Sequence, residues 1–208
     1  MSVKIKVCGM KYPDNIVAVT ALAIDYIGFI FYEKSKRFVG NANQEYIKGL
    51  KCITKVGVFV NASLTEINDK IEEFNLNAVQ LHGDESPQFC EELKQYTAVT
   101  VIKAFGIDQH FDWTVLDAYI GAIDYFLFDT KSNSYGGTGI QFDWSLLHQY
   151  KLECPYFLSG GLDADNVKDA LKANDPRLYA LDLNSKFEVE PGLKDIDLLA
   201  HSINSIKK

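Results

Sequence analysis

The sequence predicts an α/β fold, a single-domain (β/α)8 barrel of the TIM type over residues 1–208. Two observations predict it. Short apolar runs rich in Val, Ile and Phe alternate with longer amphipathic stretches, and the runs number eight: Val3–Val7, Tyr26–Phe31, Lys55–Phe59, Ala78–Leu81, Thr100–Lys103, Tyr125–Phe128, Tyr156–Leu158 and Tyr179–Leu183. They begin roughly 20 to 30 residues apart, which leaves room for one crossover helix between each pair. Strands buried on both faces read as continuous apolar runs, and eight consecutive strand–helix units suit a closed barrel better than an open sheet. A doubly wound dinucleotide fold would want G-x-G-x-x-G after the first run, where the chain has Cys8-Gly9-Met10.

Local signals support the crossovers in order. Pro13 and Asp14 open a helix ahead of Ile16–Leu22. The stretch Asn61–Leu64, followed by Glu66, reads as a cap before an amphipathic run. Asp84–Pro87 does the same before Phe89–Tyr96, and Asp163 is placed to cap Ala164–Lys172. Trp113 and Trp144 read as core residues on the helix side.

Composition narrows the function classes. Apolar residues are 47% and charged residues 24%, ordinary for a globular domain. Lys and Arg total 21 against 28 Asp and Glu, a formal charge of −7, with no basic cluster to meet nucleic acid. No apolar run approaches ~18 residues, so no membrane span is expected. The N-terminus MSVKIKVCGM does not look like a signal peptide. The four cysteines, Cys8, Cys52, Cys90 and Cys154, form no Cys-x-x-Cys pair, so reduced thiols in a cytoplasmic protein are expected and no metal site is. No long exposed apolar stripe is evident, which favours a monomer.

In a barrel the chemistry collects where strands end. Ser159-Gly160-Gly161-Leu162 follows the seventh run and precedes a helical segment. Paired glycines let backbone approach a ligand, and a helix N-terminus favours an anion, so this is the expected phosphate loop. Asn184–Val189 has room for the short extra turn that often completes such a site. Tyr135–Gly139 is a second glycine-rich loop, long enough to close over a substrate. Cys8 ends the first run and would serve as a base only as thiolate. The other three cysteines read as small buried apolar residues in or beside helices. Asp129 closes the run YFLF, where partial desolvation would raise its pKa toward that of a useful acid. Arg37 offers a bidentate fork for a carboxylate or phosphate. Gln80, His82 and Asp182 are further polar residues at strand ends, each of which also has a plain structural use as a cap, packing group or hydrogen-bond partner.

Taken in order, KVCGM, GFIFYEKSKRFV, VGVFVN, VQLHGDE, FDT, YGGTGIQFDW, LSGGLDADNV, LDLNSKFE and PGLKD resemble the phosphoribosylanthranilate isomerases over nearly the whole chain. The resemblance implies the Amadori rearrangement of a phosphorylated, anthranilate-bearing aminosugar in tryptophan biosynthesis, without metal or organic cofactor. It implies Cys8 as general base and Asp129 as general acid. Arg37 matches the residue that holds the anthranilate carboxylate, and Asp182 one beside the reacting sugar. Gln80 and His82 lie in the matching fourth-strand motif. Gly160, Gly161, Asn184 and Ser185 match the phosphate loops, with Gly137 adding a backbone donor. The chain departs from the family's serine–serine–glycine run at Asn184-Ser185-Lys186, so a shifted eighth loop is expected.

Two other readings follow from the same residues. A histidine-pathway phosphoribosyl isomerase would want an aspartate where Cys8 stands, and a second phosphate loop in the first half. A non-catalytic phosphosugar-binding barrel would be expected to keep the glycine loops while losing Cys8 or Asp129.

Overall fold

Each apolar run forms a strand in the structure, a computed structural model that describes residues 3–40, 44–131, 142–172 and 174–207. The barrel strands are β1 (Lys4–Val7), β2 (Tyr26–Ile30), β3 (Thr54–Phe59), β4 (Ala78–Leu81), β5 (Thr100–Ile107), β6 (Tyr125–Thr130), β7 (Tyr156–Leu158) and β8 (Leu178–Leu183). All pair in parallel and in chain order, and β8 closes on β1 in the register Ile5↔Leu181, Lys6↔Asp182, Val7↔Leu183.

Side chains alternate across a strand, so each strand feeds two cores. The outer one lies between barrel and helices and takes Ile5, Val7, Val79, Phe126, Phe128 and Leu181. The inner one takes Val56, Ala78, Ile102, Leu127, Phe157 and Ala180, with Tyr26, Tyr125 and Tyr179 packed on it. Moving two residues toward the C-terminal end of the strands, the inner face changes character. Ala78 gives way to Gln80, Leu127 to Asp129, and Ala180 to Asp182.

The crossovers carry α1 (Pro13–Thr20), α2 (Gln44–Gly49), α3 (Leu64–Phe74), α4 (Pro87–Tyr96) and α5 (Asp169–Lys172), and α6 (Ile196–Ile206) follows the barrel. The expected cap of α3 is a full capping box: Ser63 Oγ accepts from Glu66 N at 3.2 Å, and Glu66 accepts from Ser63 N at 2.8 Å. Ser86 caps α4 with Pro87 in its first turn.

The crossovers after β5 and β6 differ from the expected α-helices. Both are 3-10 helices, Trp113–Tyr119 and Trp144–Gln149. Their apolar residues explain this: Trp113, Leu116 and Tyr119, and likewise Trp144, Leu147 and Tyr150, recur every third residue, the 3-10 period. Asp112 and Asp143 start them by accepting from the N–H two residues on, at 3.0 and 2.9 Å. Both tryptophans are partly buried against the outer core.

Two further departures concern the cysteines and the chain after β8. Cys90 is buried in α4, but Cys52 is exposed, at φ 62° in the turn between α2 and β3, and so is not the buried apolar residue expected. After β8 the chain makes a 3-10 turn, Ser185–Phe187, and then a hairpin of β9 (Glu188–Glu190) and β10 (Leu193–Lys194) that the sequence did not announce.

Candidate active site

Alternation along β1 turns Lys6 and then Cys8 into the barrel. Cys8 is 3% exposed, and its N–H donates to Leu183 O at 3.0 Å. Gly28 on β2 leaves room for the thiol, since a Cβ there would lie 2.6 Å from Cys8 Sγ. Lys6, absent from the expected site, is fully buried and donates to Gln80 Oε1 and Asp182 Oδ2, both at 2.7 Å. Gln80 Nε2 meets His82 Nδ1 at 2.8 Å, and His82 Nε2 stands 3.5 Å from Asp129 Oδ2. Asp129 is 14% exposed, and its Oδ1 accepts from Thr130 N at 2.8 Å. The expected residues Cys8, Gln80, His82, Asp129 and Asp182 are thus brought together, with Lys6 as their hub.

Electrostatics in this cluster follow from burial. Burial pushes the Cys8 thiol above its ordinary range; Lys6 and Lys194 pull against it, while the Asp182 carboxylate pushes the same way. Burial also works against the Lys6 charge, but Asp182 and the Cys8 sulfur outweigh it and the ammonium is held above its ordinary value. Asp182 Oδ1 is a buried acceptor without a hydrogen-bond partner among the described residues. Such an atom costs about 1–3 kcal/mol unless a donor reaches it.

Beside Cys8 lies a second charged group. Glu188 takes Arg37 bidentately, from Nε at 2.9 and 3.0 Å and from the terminal nitrogen at 2.7 Å. It also accepts from Lys194 Nζ at 2.7 Å. Burial pushes Glu188 up, but Arg37 and Lys194 overcome it and hold the carboxyl below its ordinary value. Lys194 further donates to Asn184 Oδ1 at 2.8 Å. Gly9, at φ 78°, lets these groups close up: a Cβ there would lie 2.7 Å from Arg37 Cδ and 2.9 Å from Asn184 Oδ1. Arg37 is therefore no solvated loop charge. Glu188 and Lys194 carry no sequence signal because they lie in the hairpin beyond the eighth strand. Lys6 sits inside an apolar run, and its place two residues before Cys8 is the one signal that it faces the site.

Gly160 and Gly161 follow β7 at φ 83° and 70°, in the left-handed region that favours glycine. A Cβ on Gly160 would lie 2.9 Å from Asp129 Oδ1 and collide with Thr130, so the loop packs directly on the end of β6. The expected helix N-terminus behind this pair is not there. Residues 164–168 are turns, and the α-helix is only Asp169–Lys172. Asp163 instead gathers Asp165 N and Asn166 N at 3.0 and 2.9 Å, so an anion would rely on loop N–H groups rather than a helix dipole. Asn184 and Ser185 follow the adjacent β8, with Ser185 starting the 3-10 turn. Lys186 is exposed in this turn, and φ is not positive there. Gly137 lies outside the described residues. Among the described residues no group of three His, Cys, Asp or Glu is arranged to hold a metal ion.

Comparison with known proteins gives one answer. Residues 5–205 match the model of the N-(5'phosphoribosyl)anthranilate (PRA) isomerase family. An N-(5'-phosphoribosyl)anthranilate isomerase of Parabacteroides distasonis is 48% identical over 205 residues, 97% of this chain and 92% of that protein. The crystal structure of phosphoribosyl anthranilate isomerase from Thermus thermophilus superposes with a TM-score of 0.87 at 26% identity, covering 99% of this chain and 98% of that one. A phosphoribosyl anthranilate isomerase in complex with reduced 1-(o-carboxyphenylamino)-1-deoxyribulose 5-phosphate superposes with a TM-score of 0.81 at 32% identity, covering 99% and 98%.

Proposed function

The chain belongs to the N-(5'-phosphoribosyl)anthranilate isomerase family, and from that premise we propose how its own residues perform the reaction. The enzyme converts N-(5'-phosphoribosyl)anthranilate to 1-(2-carboxyphenylamino)-1-deoxyribulose 5-phosphate, an Amadori rearrangement of tryptophan biosynthesis. Asp129, as carboxylic acid, protonates the ribose ring oxygen. The C1–O bond breaks, and the anilino nitrogen supplies the electron pair that forms the Schiff base. Cys8, as thiolate, takes the proton from C2, and the electrons move onto the imine nitrogen to give an enolamine. Loss of the O2 proton and gain of one at C1 complete the ketone. The imine nitrogen is the electron sink, so the chemistry asks for no cofactor.

One observation carries this reading: a buried thiol and a half-buried carboxylate belong to one interior polar cluster at the C-terminal end of the barrel. The orphan Asp182 Oδ1 is the acceptor for a sugar hydroxyl of the substrate. Arg37, held by Glu188, turns its remaining N–H groups to the anthranilate carboxylate. Gly160, Gly161, Asn184 and Ser185, joined by Gly137, hold the phosphate. Gln80 and His82 line the pocket and link Asp129 to Lys6.

The test is anthranilate fluorescence on freshly made substrate. Wild type should turn over, and Asp129→Asn and Cys8→Ala should lose about 10²–10⁴ in kcat while still binding a reduced product analogue. Full activity in either variant would remove that residue from its role.

We also propose that the chain is a cytoplasmic monomer and one domain throughout. Its cysteines are free thiols, and its exposed large apolar residues, among them Val17, Tyr96, Ile120 and Val189, lie on separate elements. Among the described residues no helix is long and apolar enough to cross a membrane. A phosphoribosylanthranilate isomerase from Thermotoga maritima, 31% identical in sequence and similar in structure, is dimeric, so sedimentation equilibrium is the direct check.

A further inference from the structure

Lys6 is a buried charge in a strand whose outward residues are Ile5 and Val7. An ammonium has three N–H groups, and in the interior all three need acceptors. Gln80 Oε1 and Asp182 Oδ2 take two, each at 2.7 Å. The third has no hydrogen-bond partner among the described residues, and Cys8, buried two residues on, lies on the same inward face of β1. The strand enforces this meeting, because residues i and i+2 share one face. Gly28 on β2 holds the sulfur from the other side.

We infer that Lys6 is a positioning residue for the isomerisation: its ammonium offers its third N–H to the Cys8 sulfur when the thiolate forms, and so steadies and aims the base inside a barrel nearly closed to water. This rests on the assignment of Cys8 as base. The charged and titratable groups that face Cys8 are Lys6 on β1, Asp182 on β8 and Lys194 on β10. Behind them stand His82 and Asp129 on one side, Arg37 and Glu188 on the other. Lys194 is engaged by Glu188 and Asn184, and Asp182 repels a thiolate, so the direct support for the ionised sulfur falls to Lys6. When Sγ takes the C2 proton, the ammonium keeps Gln80 and Asp182 and neither gains nor loses a proton itself.

The rival account is that Lys6 only neutralises Asp182. The two separate in a titration of thiolate ultraviolet absorbance, measured in a Cys52→Ser background with Cys8→Ala subtracted. Wild type, Asp182→Asn and the double variant Lys6→Met/Asp182→Asn are compared. The double variant leaves no buried charge of that pair unpartnered, which protects the fold. Asp182→Asn should titrate below wild type, because Lys6 then acts on the sulfur alone. The double variant should titrate above both, with about 10- to 1,000-fold less thiolate than Asp182→Asn at a fixed pH below the midpoint. Equal midpoints for the double variant and Asp182→Asn would overturn the inference, and so would a double variant titrating no higher than wild type. In turnover, Lys6→Met should move the rising limb of kcat to higher pH and recover activity as pH is raised, which a packing defect would not do. Failure of the base assignment itself reads out elsewhere, as undiminished turnover in Cys8→Ala.

Discussion

The two ends of the barrel interior are built from the same strands and do opposite things. At the N-terminal end, Tyr26, Tyr125 and Tyr179 close around Phe157, with ring centroids 4.5 to 6.2 Å apart. Their polar atoms are turned on one another, as in the 2.8 Å contact between the Tyr26 and Tyr179 hydroxyls. Burial pushes the Tyr26 and Tyr125 hydroxyls upward, so these tyrosines stay neutral, with the Lys4–Asp25 ion pair beside them. At the C-terminal end the interior holds Lys6, Cys8, Asp129 and Asp182 and leaves a buried acceptor without a partner among the described residues. The first arrangement stabilises; the second stores chemistry at some cost in stability. A barrel divides these tasks along its axis because every strand passes through both ends.

That division makes the sharpest prediction. Asp129→Asn should remove about 10²–10⁴ of kcat with little change in unfolding midpoint, and Phe157→Ala should do the reverse. Losing that ring from a filled interior should cost about 3–5 kcal/mol in denaturant unfolding, with kcat per folded molecule retained. A Phe157→Ala protein that stays folded but loses turnover would break the comparison.

pH should separate the ends next. In the proposed mechanism Cys8 reacts as the thiolate, and burial raises its pKa, so the thiolate is the minor form at neutrality. The step in which Cys8 removes the C2 proton, followed separately from ring opening, should therefore climb about tenfold per pH unit until the thiol pKa is reached. A rate flat between neutral and alkaline pH would mean that proton removal by Cys8 is not being measured. The tyrosine end should leave stability unchanged up to about pH 10, the ordinary tyrosine value, above which the unfolded chain ionises first and stability falls.

Smaller effects sharpen the picture at particular contacts. Glu188→Gln loosens the fork on Arg37 and should change KM several-fold while altering kcat less, if Arg37 holds the substrate's carboxylate as proposed. A kcat loss as large as that of Asp129→Asn would bring Glu188 into the chemistry. Tyr179→Phe removes one partner of the Tyr26 hydroxyl and should cost about 0.5–1.5 kcal/mol in stability with no kinetic effect.

How much of this is legible from residues alone depends on range. The strands are local, because buried parallel strands write themselves as apolar runs, and all eight runs overlap the strands observed. Cys8, Gln80, His82, Asp129 and Asp182 are legible as polar residues at strand ends. The 3-10 crossovers were legible in principle from their three-residue apolar spacing. Lys6 shows locally only that it shares a face of β1 with Cys8; its role as a hub does not show, because its partners Gln80 and Asp182 lie 74 and 176 residues away. Glu188 and Lys194 likewise gain meaning only when the hairpin after β8 folds back on Arg37.

The sequence by itself therefore determined the order of strands, the closure into a barrel and the chemical types at its catalytic end. Only the tertiary structure decided that the thiol shares a desolvated interior with a lysine and an aspartate, and that the loop behind Gly160 and Gly161 is turns rather than a helix. The physical reason is that burial and the strength of a charge depend on what surrounds a residue in space. For Cys8 those surroundings come from β1, β2, β8 and β10, which only barrel closure brings together.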